Sequence, residues 1–159
     1  MIARLLIVAM AAVSLTACAR SGPSGGMSVA AADPMGAAAL AELPTQVLSP
    51  GQCALVLWSR TSTPLRFAVT LDQPAVARVN MKGRVVELSR VTQSGRAIHG
   101  QFSEQRYRGD GISLEVSFAP EDARLLAGGA VVSSAVVEFD DPTGWTSVIP
   151  AVGLIACQS

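Results

Sequence analysis

The feature that most constrains this chain is a two-residue alternation of apolar and polar side chains, in short runs separated by turn residues. Its clearest case is Ile112–Phe118, where Ile, Leu, Val and Phe alternate with Ser and Glu. Because successive side chains of a β-strand point to opposite faces, this period predicts a strand with one buried face. Residues 65–71 repeat the pattern, and no long run has the 3.6-residue period of a helix. The pattern therefore predicts an all-β chain.

Turn residues divide the region after residue 50 into about eight or nine such runs, and the predicted strands include residues 76–81, 97–102, 145–149 and 152–157. Lys82-Gly83 is typical of a two-residue hairpin, and residues 140–144 (DDPTG) of a longer turn. Further turns are predicted at residues 93–96 and 109–111, and a short helical turn from Pro120 to the glycines at 128–129. The expected fold is a small antiparallel sandwich or barrel. About 110 residues are enough for one hydrophobic core.

The first 17 residues have the composition of a secretory signal. Met1-Ile2-Ala3-Arg4 carries one positive charge, and an apolar run over residues 5–13 follows. That run is too short for a membrane-spanning helix, which needs about 20 residues. The sequence predicts that residues 1–17 are a signal peptide that is removed.

The signal ends in Leu15-Thr16-Ala17-Cys18, which resembles the bacterial lipobox. The resemblance implies cleavage before Cys18 and attachment of a diacylglycerol to its sulfur. Two or three acyl chains on one cysteine give a lasting anchor, since each buried CH₂ contributes about 0.8 kcal/mol. Ala19, rather than Asp, at the second mature position favours the periplasmic side of the outer membrane, by resemblance to enterobacterial sorting rules. An ordinary cleaved signal with an incidental cysteine is the alternative.

Residues 18–49 are predicted to be the acylated cysteine and a flexible tether. They are rich in Ala, Gly, Ser and Pro, and residues 21–26 (SGPSGG) are typical of a linker. A flexible chain of about 30 residues has an end-to-end distance of about 30 Å, enough to lift a domain off a bilayer. The β domain is expected at residues 50–159. A partner-binding segment is the alternative interpretation of the tether.

Cys53 and Cys157 are the cysteines that remain once Cys18 is assigned to lipid. An even pair in a secreted chain predicts a disulfide, because the compartment is oxidising. The bond would close a loop of about 105 residues, which on chain-entropy grounds contributes about 4.7 kcal/mol. Two buried free thiols are the alternative. No C-x-x-C spacing is present, so thiol–disulfide catalysis is not expected.

Charge and motif content exclude several functions. Lys and Arg total 12, as do Asp and Glu, whereas a nucleic-acid binder would carry a basic excess. With one histidine and three cysteines, neither a metal site nor a cofactor is expected. Asp140 and Asp141 are interpreted as turn residues rather than calcium ligands. A catalytic Ser-His-Asp triad could be assigned to Ser94, His99 and Asp110, but the sequence lacks the nucleophile-elbow motif of serine hydrolases. No enzyme is expected, and a serine hydrolase is a distant alternative.

Arginines form the one candidate binding patch in the sequence. Their planar guanidinium suits recognition of carboxylates and phosphates. An acidic glycan, a lipid headgroup or an acidic envelope protein would bind such a patch, and a solvated surface is the alternative. The patch comprises Arg84, Arg90, Arg96, Arg106 and Arg108.

Residues 81–110 are similar to small periplasmic lipoproteins that inhibit C-type lysozyme. Ser94-Gly95 matches a Ser-Gly turn of that family, and Arg108-Gly109 stands where the family has Lys-Gly. The family also carries an early and a late cysteine that pair. The resemblance implies a small antiparallel barrel with Ser94 and Arg108 on an exposed loop that enters the lysozyme cleft. Together with Arg96 and Arg106, these are the predicted binding residues.

The sequence thus predicts a non-enzymatic envelope lipoprotein whose β domain binds or scaffolds an envelope protein or glycan. Inhibition of C-type lysozyme is the alternative.

Overall fold

The computed structural model describes residues 40–159, which fold into a closed β-barrel. The predicted signal peptide, Cys18 and residues 19–39 of the predicted tether lie outside the described residues. A 3-10 helix, Pro120–Asp122, lies between the seventh and eighth strands. The strands are β1 (Leu40–Ala41), β2 (Cys53–Ser59), β3 (Arg66–Leu71), β4 (Val76–Met81), β5 (Arg84–Ile98), β6 (Gln101–Gly109), β7 (Ile112–Phe118), β8 (Arg124–Leu126), β9 (Gly129–Asp140) and β10 (Thr146–Cys157).

Eight strands form a ring in which every neighbouring pair is antiparallel. The order around the ring is β2-β3-β4-β5-β6-β7-β9-β10, and β10 pairs with β2 to close it. The short strands β1 and β8 pair with β4 and β9. Residues 40–159 contain no α-helix. The all-β prediction is confirmed, and of its two alternatives the barrel is the one that forms.

Three two-residue hairpins join neighbouring strands of the ring. In each, a non-glycine residue and a glycine both have positive φ, as a type I′ turn requires. The predicted Lys82-Gly83 hairpin is confirmed. The three turns are Lys82-Gly83 (φ 51° and 90°), His99-Gly100 (48° and 75°) and Asp110-Gly111 (51° and 76°).

The turn predicted at residues 93–96 is wrong, because these residues lie inside the 15-residue strand β5. The β5–β6 register shifts between Ser94 and Ala97, and Gly95 has a φ of 76°. A β-bulge, like a turn, uses glycine at positive φ, so the two share a sequence signature. The true reversal is His99-Gly100, so the strand predicted over residues 97–102 is also wrong.

Two smaller predictions are corrected at the end of the chain. Residues 145–149 and 152–157, predicted as two strands, belong to the single strand β10, whose ladder with β9 is irregular between Ala151 and Gly153. The predicted helical turn after residue 120 ends at Asp122, since β8 follows it.

Apolar side chains fill the barrel interior. Alternate residues of the ring strands point inward, which is the period that the sequence predicts for a half-buried strand. Fully buried examples are Leu55, Leu57, Phe67, Leu88, Leu114, Val137, Phe139, Ile149 and Ile155.

Residues 40–49, which we call the strap, pack on the outer wall of the barrel instead of belonging to a free tether. Leu43 is fully buried against Val69, Leu71 and Val76 in a second apolar cluster. The Leu43 amide donates to the Arg66 carbonyl (2.7 Å), and Arg66 Nε donates back to the Leu43 carbonyl (2.8 Å). The packed domain therefore includes Leu40 and the residues after it, ahead of the expected boundary at residue 50.

Candidate functional site

The predicted disulfide between Cys53 and Cys157 is confirmed. Cys53 is the first residue of β2 and Cys157 the last of β10, and the two are direct partners in the antiparallel ladder. The bond therefore lies at one end of the barrel, which we call the disulfide end.

His99 lies beside this disulfide. One of its ring nitrogens and the two Sγ atoms all lie within 4.8 Å of one another. His99 is exposed and begins the turn between β5 and β6. Histidine is among the few non-glycine residues enriched in left-handed backbone conformations, which the turn requires. No local sequence pattern indicates this cluster, because only the barrel topology brings the turn to the point where β2 begins and β10 ends.

Hydrogen bonds fix the backbone of Cys53 at the disulfide end. Asp72 Oδ1 accepts from the Cys53 amide (2.9 Å), and Gln101 Nε2 donates to its carbonyl (3.4 Å). Sulfur ligates metals as a thiolate, and both thiols are consumed in the disulfide. In this oxidised form the cluster therefore offers only the imidazole as a strong ligand.

A polar network lies inside the barrel, among the inward-facing residues of β6. Thr70 Oγ1 donates to Gln101 Oε1 (2.7 Å), and Tyr107 Oη donates to Gln105 Oε1 (2.7 Å). Arg90 Nη1 donates to the same Gln105 oxygen (3.1 Å). Burial raises the pKa of the Tyr107 hydroxyl, because the phenolate would lose its hydration. The network holds β3, β5 and β6 together through satisfied buried groups.

Three of the five arginines predicted to form one patch contact polar side chains of neighbouring strands or turns. Arg84 Nη1 lies 3.3 Å from Asp110 Oδ2, and Arg106 Nε donates to Glu115 Oε2 at 2.9 Å. Arg90 joins the interior network. Neighbouring acidic and amide groups therefore take up three of the five arginines.

Ser94 and Arg108 do not share an exposed loop, as the lysozyme-inhibitor resemblance implies. Ser94 lies in β5 and its Oγ donates to Glu104 Oε2 (2.5 Å), whereas Arg108 lies in β6. Ser94 pairs with Glu104, four residues from Arg108, so the two are about 13 Å apart along the sheet. Arg96 and Arg108 remain exposed, and neither forms an ion pair within residues 40–159.

The hypothetical triad of Ser94, His99 and Asp110 does not assemble. His99 and Asp110 lie in the turns at opposite ends of the nine-residue strand β6, about 30 Å apart. Ser94 points to Glu104 between them. A proton relay through these three side chains is therefore impossible.

Asp141 begins the turn between β9 and β10, as predicted, whereas Asp140 is the last residue of β9. Asp141 Oδ1 accepts from the Thr143 hydroxyl (2.6 Å) and from the amides of Thr143 (2.8 Å) and Trp145 (3.0 Å). The hydroxyl of Thr143, followed by the Trp145 amide, lowers the pKa of Asp141. Asp140 Oδ1 accepts from the Thr146 hydroxyl (2.6 Å). These hydrogen bonds stabilise the turn between β9 and β10.

The outer wall of β9 and β10 carries an apolar face formed by Val136, Val148 and Pro150. Pro150 pairs directly with Val136, and Val148 pairs with Glu138 on the same outward side. Val136 is 40% and Val148 53% exposed. These three side chains form a small apolar area on the outer wall.

Comparison of the chain with protein-family models, curated proteins and solved structures found no match. Within the described part of the chain, no helix combines the length and the apolar content needed to cross a membrane. Function is therefore inferred from the residues and their geometry.

Proposed function

We propose that this chain is a lipid-anchored protein of the bacterial cell envelope whose barrel binds or scaffolds a partner without catalysis. The observation that carries the proposal is Leu15-Thr16-Ala17-Cys18 at the end of a short N-terminal apolar run. The Cys53–Cys157 disulfide supports it, because such bonds persist in oxidising compartments such as the periplasm.

The packing of the barrel supports recognition through its outer surface. Bulky side chains such as Phe67, Phe139 and Leu114 are fully buried inside. Eight-stranded barrels with such filled interiors leave the wall and the ends for contact with a partner. The apolar face of Val136, Val148 and Pro150 favours a protein partner over a glycan, since buried apolar groups dominate the centres of protein interfaces.

Anchoring is tested by labelling with palmitate in a bacterial host that processes lipoproteins. The full-length chain is expected to incorporate label and to enter the detergent phase on phase separation, and Cys18→Ser is expected to do neither. Mass spectrometry should find Cys18 as the acylated first residue. An unlabelled wild-type chain that stays in the aqueous phase would contradict the proposal.

Binding is tested by placing a photoreactive amino acid at position 148 or at position 85 of the anchored chain. Val148 on β10 and Val85 on β5 are 53% and 43% exposed, and their strands are four apart in the ring, on opposite walls. Irradiation of intact cells should give a discrete cross-linked species at position 148 and none at 85. Equal cross-linking at both positions, or none at 148, would contradict binding through the apolar face.

Inhibition of C-type lysozyme is the second candidate function. It is favoured by Arg108, which is exposed beside a cleft of about 450 Å³ that Asp140 also lines. An exposed guanidinium without an ion-pair partner within residues 40–159 is suited to an acidic cleft on a partner.

A turbidity assay with full-length Cys18→Ser chain tests this function. Inhibition of lysozyme is expected at micromolar chain and should be lost in Arg108→Ala. Arg84→Ala is the matched control, because Arg84 is already paired with Asp110. Absence of inhibition by the chain with Arg108 intact would reject this candidate.

A further inference from the structure

Two cysteines and the single histidine of the chain meet at the disulfide end. Their three candidate ligand atoms lie within 4.8 Å of one another, although His99 is far from both cysteines in sequence. We propose that reduction of the Cys53–Cys157 disulfide turns this end of the barrel into a Zn²⁺ site. Its ligands are the thiolates of Cys53 and Cys157 and the imidazole of His99.

The spacing of the three side chains suits a tetrahedral ion. Zn–S bonds of about 2.3 Å and Zn–N bonds of about 2.0 Å put tetrahedral ligand atoms about 3.5 to 3.8 Å apart. The His99 ring nitrogen lies within 4.8 Å of both sulfurs, so a displacement of about 1 Å brings it to tetrahedral spacing, whereas the bonded sulfurs must move apart. Once the bond is broken, side-chain rotation can separate the sulfurs while the backbone stays fixed.

Rigid elements hold all three ligands. Cys53 and Cys157 are partners in the β2–β10 ladder, and Asp72 and Gln101 bind the backbone of Cys53. His99 begins a two-residue hairpin, which leaves its backbone little freedom. Ligands on such a scaffold lose little entropy when they bind a metal.

The ligand types select the ion. Thiolate sulfur and imidazole nitrogen suit Zn²⁺, whereas Mg²⁺ and Ca²⁺ take oxygen ligands. Three protein ligands with His99 exposed leave the fourth position to water. Such an open site binds Zn²⁺ reversibly and exposes it to exchange with other ligands.

The redox step needs a dithiol reductant. One thiolate of the dithiol attacks a sulfur of the disulfide, and its second thiolate then releases the mixed disulfide. The dithiol leaves as a cyclic disulfide, having supplied two electrons and two protons, and Cys53 and Cys157 become thiols. Zn²⁺ then displaces both thiol protons to solvent, and His99 donates a ring-nitrogen lone pair.

The test uses the full-length Cys18→Ser chain, in which Cys53 and Cys157 are the remaining cysteines. Co²⁺ is the spectroscopic probe, added without oxygen to the reduced or the oxidised chain. The reduced chain should bind one Co²⁺ with a thiolate-to-cobalt charge-transfer band, and Zn²⁺ should displace it. The oxidised chain should show no such band.

The His99→Gln variant distinguishes a metal site with three protein ligands from a site formed by the two thiolates alone. Removal of an outer-shell partner usually lowers metal affinity at least about ten-fold. Because His99 is a direct ligand, His99→Gln should lower the affinity for Co²⁺ by at least this factor. Lys82→Gln is the matched control, because Lys82 begins an equivalent hairpin turn at the other end of the barrel. It should leave the affinity unchanged.

Two results would overturn the proposal: a reduced chain without a thiolate band, or an affinity for Co²⁺ that His99→Gln does not change. Circular dichroism covers the case in which the reduced chain unfolds. Zn²⁺ must then restore the β-sheet spectrum, because binding to the folded site adds to the free energy of folding. Failure of Zn²⁺ to restore it would equally overturn the proposal.

Discussion

Cys53 and Cys157 face each other in the ladder between β2 and β10, so their disulfide joins the two strands whose pairing closes the barrel. Seven residue pairs of backbone ladder run from this bond to the Ser59–Ala151 pair. The covalent bond thus reinforces the seam between the first and last strands of the ring. Breaking this seam would reopen the barrel into a sheet with two free edges.

Replacing both cysteines, as Cys53→Ala/Cys157→Ala, should lower the free energy of unfolding. The bond spans 104 residues, and the chain-entropy contribution of so long a loop is up to about 4.7 kcal/mol. Denaturant unfolding with a metal chelator present measures the loss. The wild-type chain treated with a dithiol should match the variant. Unchanged stability in both would show that the backbone ladder alone holds the seam.

The strap provides a second prediction, at Leu43. Leu43→Ala should destabilise the domain by about 2 to 5 kcal/mol, since it empties a fully buried site beside Val69, Leu71 and Val76. Val47→Ala, in the same segment but 89% exposed, is the control and should change little. Thermal or denaturant unfolding distinguishes the two. If both variants have similarly small effects, the strap does not pack on the barrel and belongs to the flexible tether, as the sequence predicted.

Alkaline pH should destabilise the chain through Tyr107. Burial raises the pKa of this hydroxyl in the folded state, while the unfolded chain keeps the ordinary pKa of about 10. Below that pH both states hold the proton. As the pH rises between the two pKa values, only the unfolded chain releases its proton, so stability falls by up to about 1.4 kcal/mol per pH unit.

Absorbance of tyrosinate measures this titration directly, because Tyr107 is the chain's one tyrosine. The folded chain should titrate at higher pH than the chain in denaturant. In Tyr107→Phe the stability loss above about pH 10 should be smaller, since the shifted group is gone. Coincident titrations of the folded and unfolded chains would contradict burial of the hydroxyl.

Much of the barrel could be predicted from the sequence, because strand alternation is a local signal. The predicted strand over residues 76–81 coincides with β4, and Ile112–Phe118 with β7. The Lys82-Gly83 hairpin followed from the positive φ that its turn needs. The cysteine pairing followed from their even number and the expected compartment.

What the sequence did not show depends on contacts between distant parts of the chain. Gly95 marks a bulge within a long strand, yet its local sequence is that of a turn. The acidic partners of Arg84 and Arg106 come from another turn and another strand, so the sequence alone could not show these two ion pairs. The meeting of His99 with the disulfide likewise requires the complete ring of strands.

Gly128, just before β9, and Gly129, the first residue of β9, should respond differently to substitution by alanine. A Cβ on Gly129 would lie 2.1 Å from the backbone oxygen of Ile155 in β10, so the ladder itself would have to move. Gly128 meets no atom within 4 Å but has a φ of 73°, so its substitution costs backbone strain of about 1 to 2 kcal/mol. Gly129→Ala should therefore lower the unfolding free energy more than Gly128→Ala, and it should weaken hydrogen-exchange protection in the adjoining part of β10. Equal losses of stability in the two variants would contradict the close approach of β9 and β10 at this position.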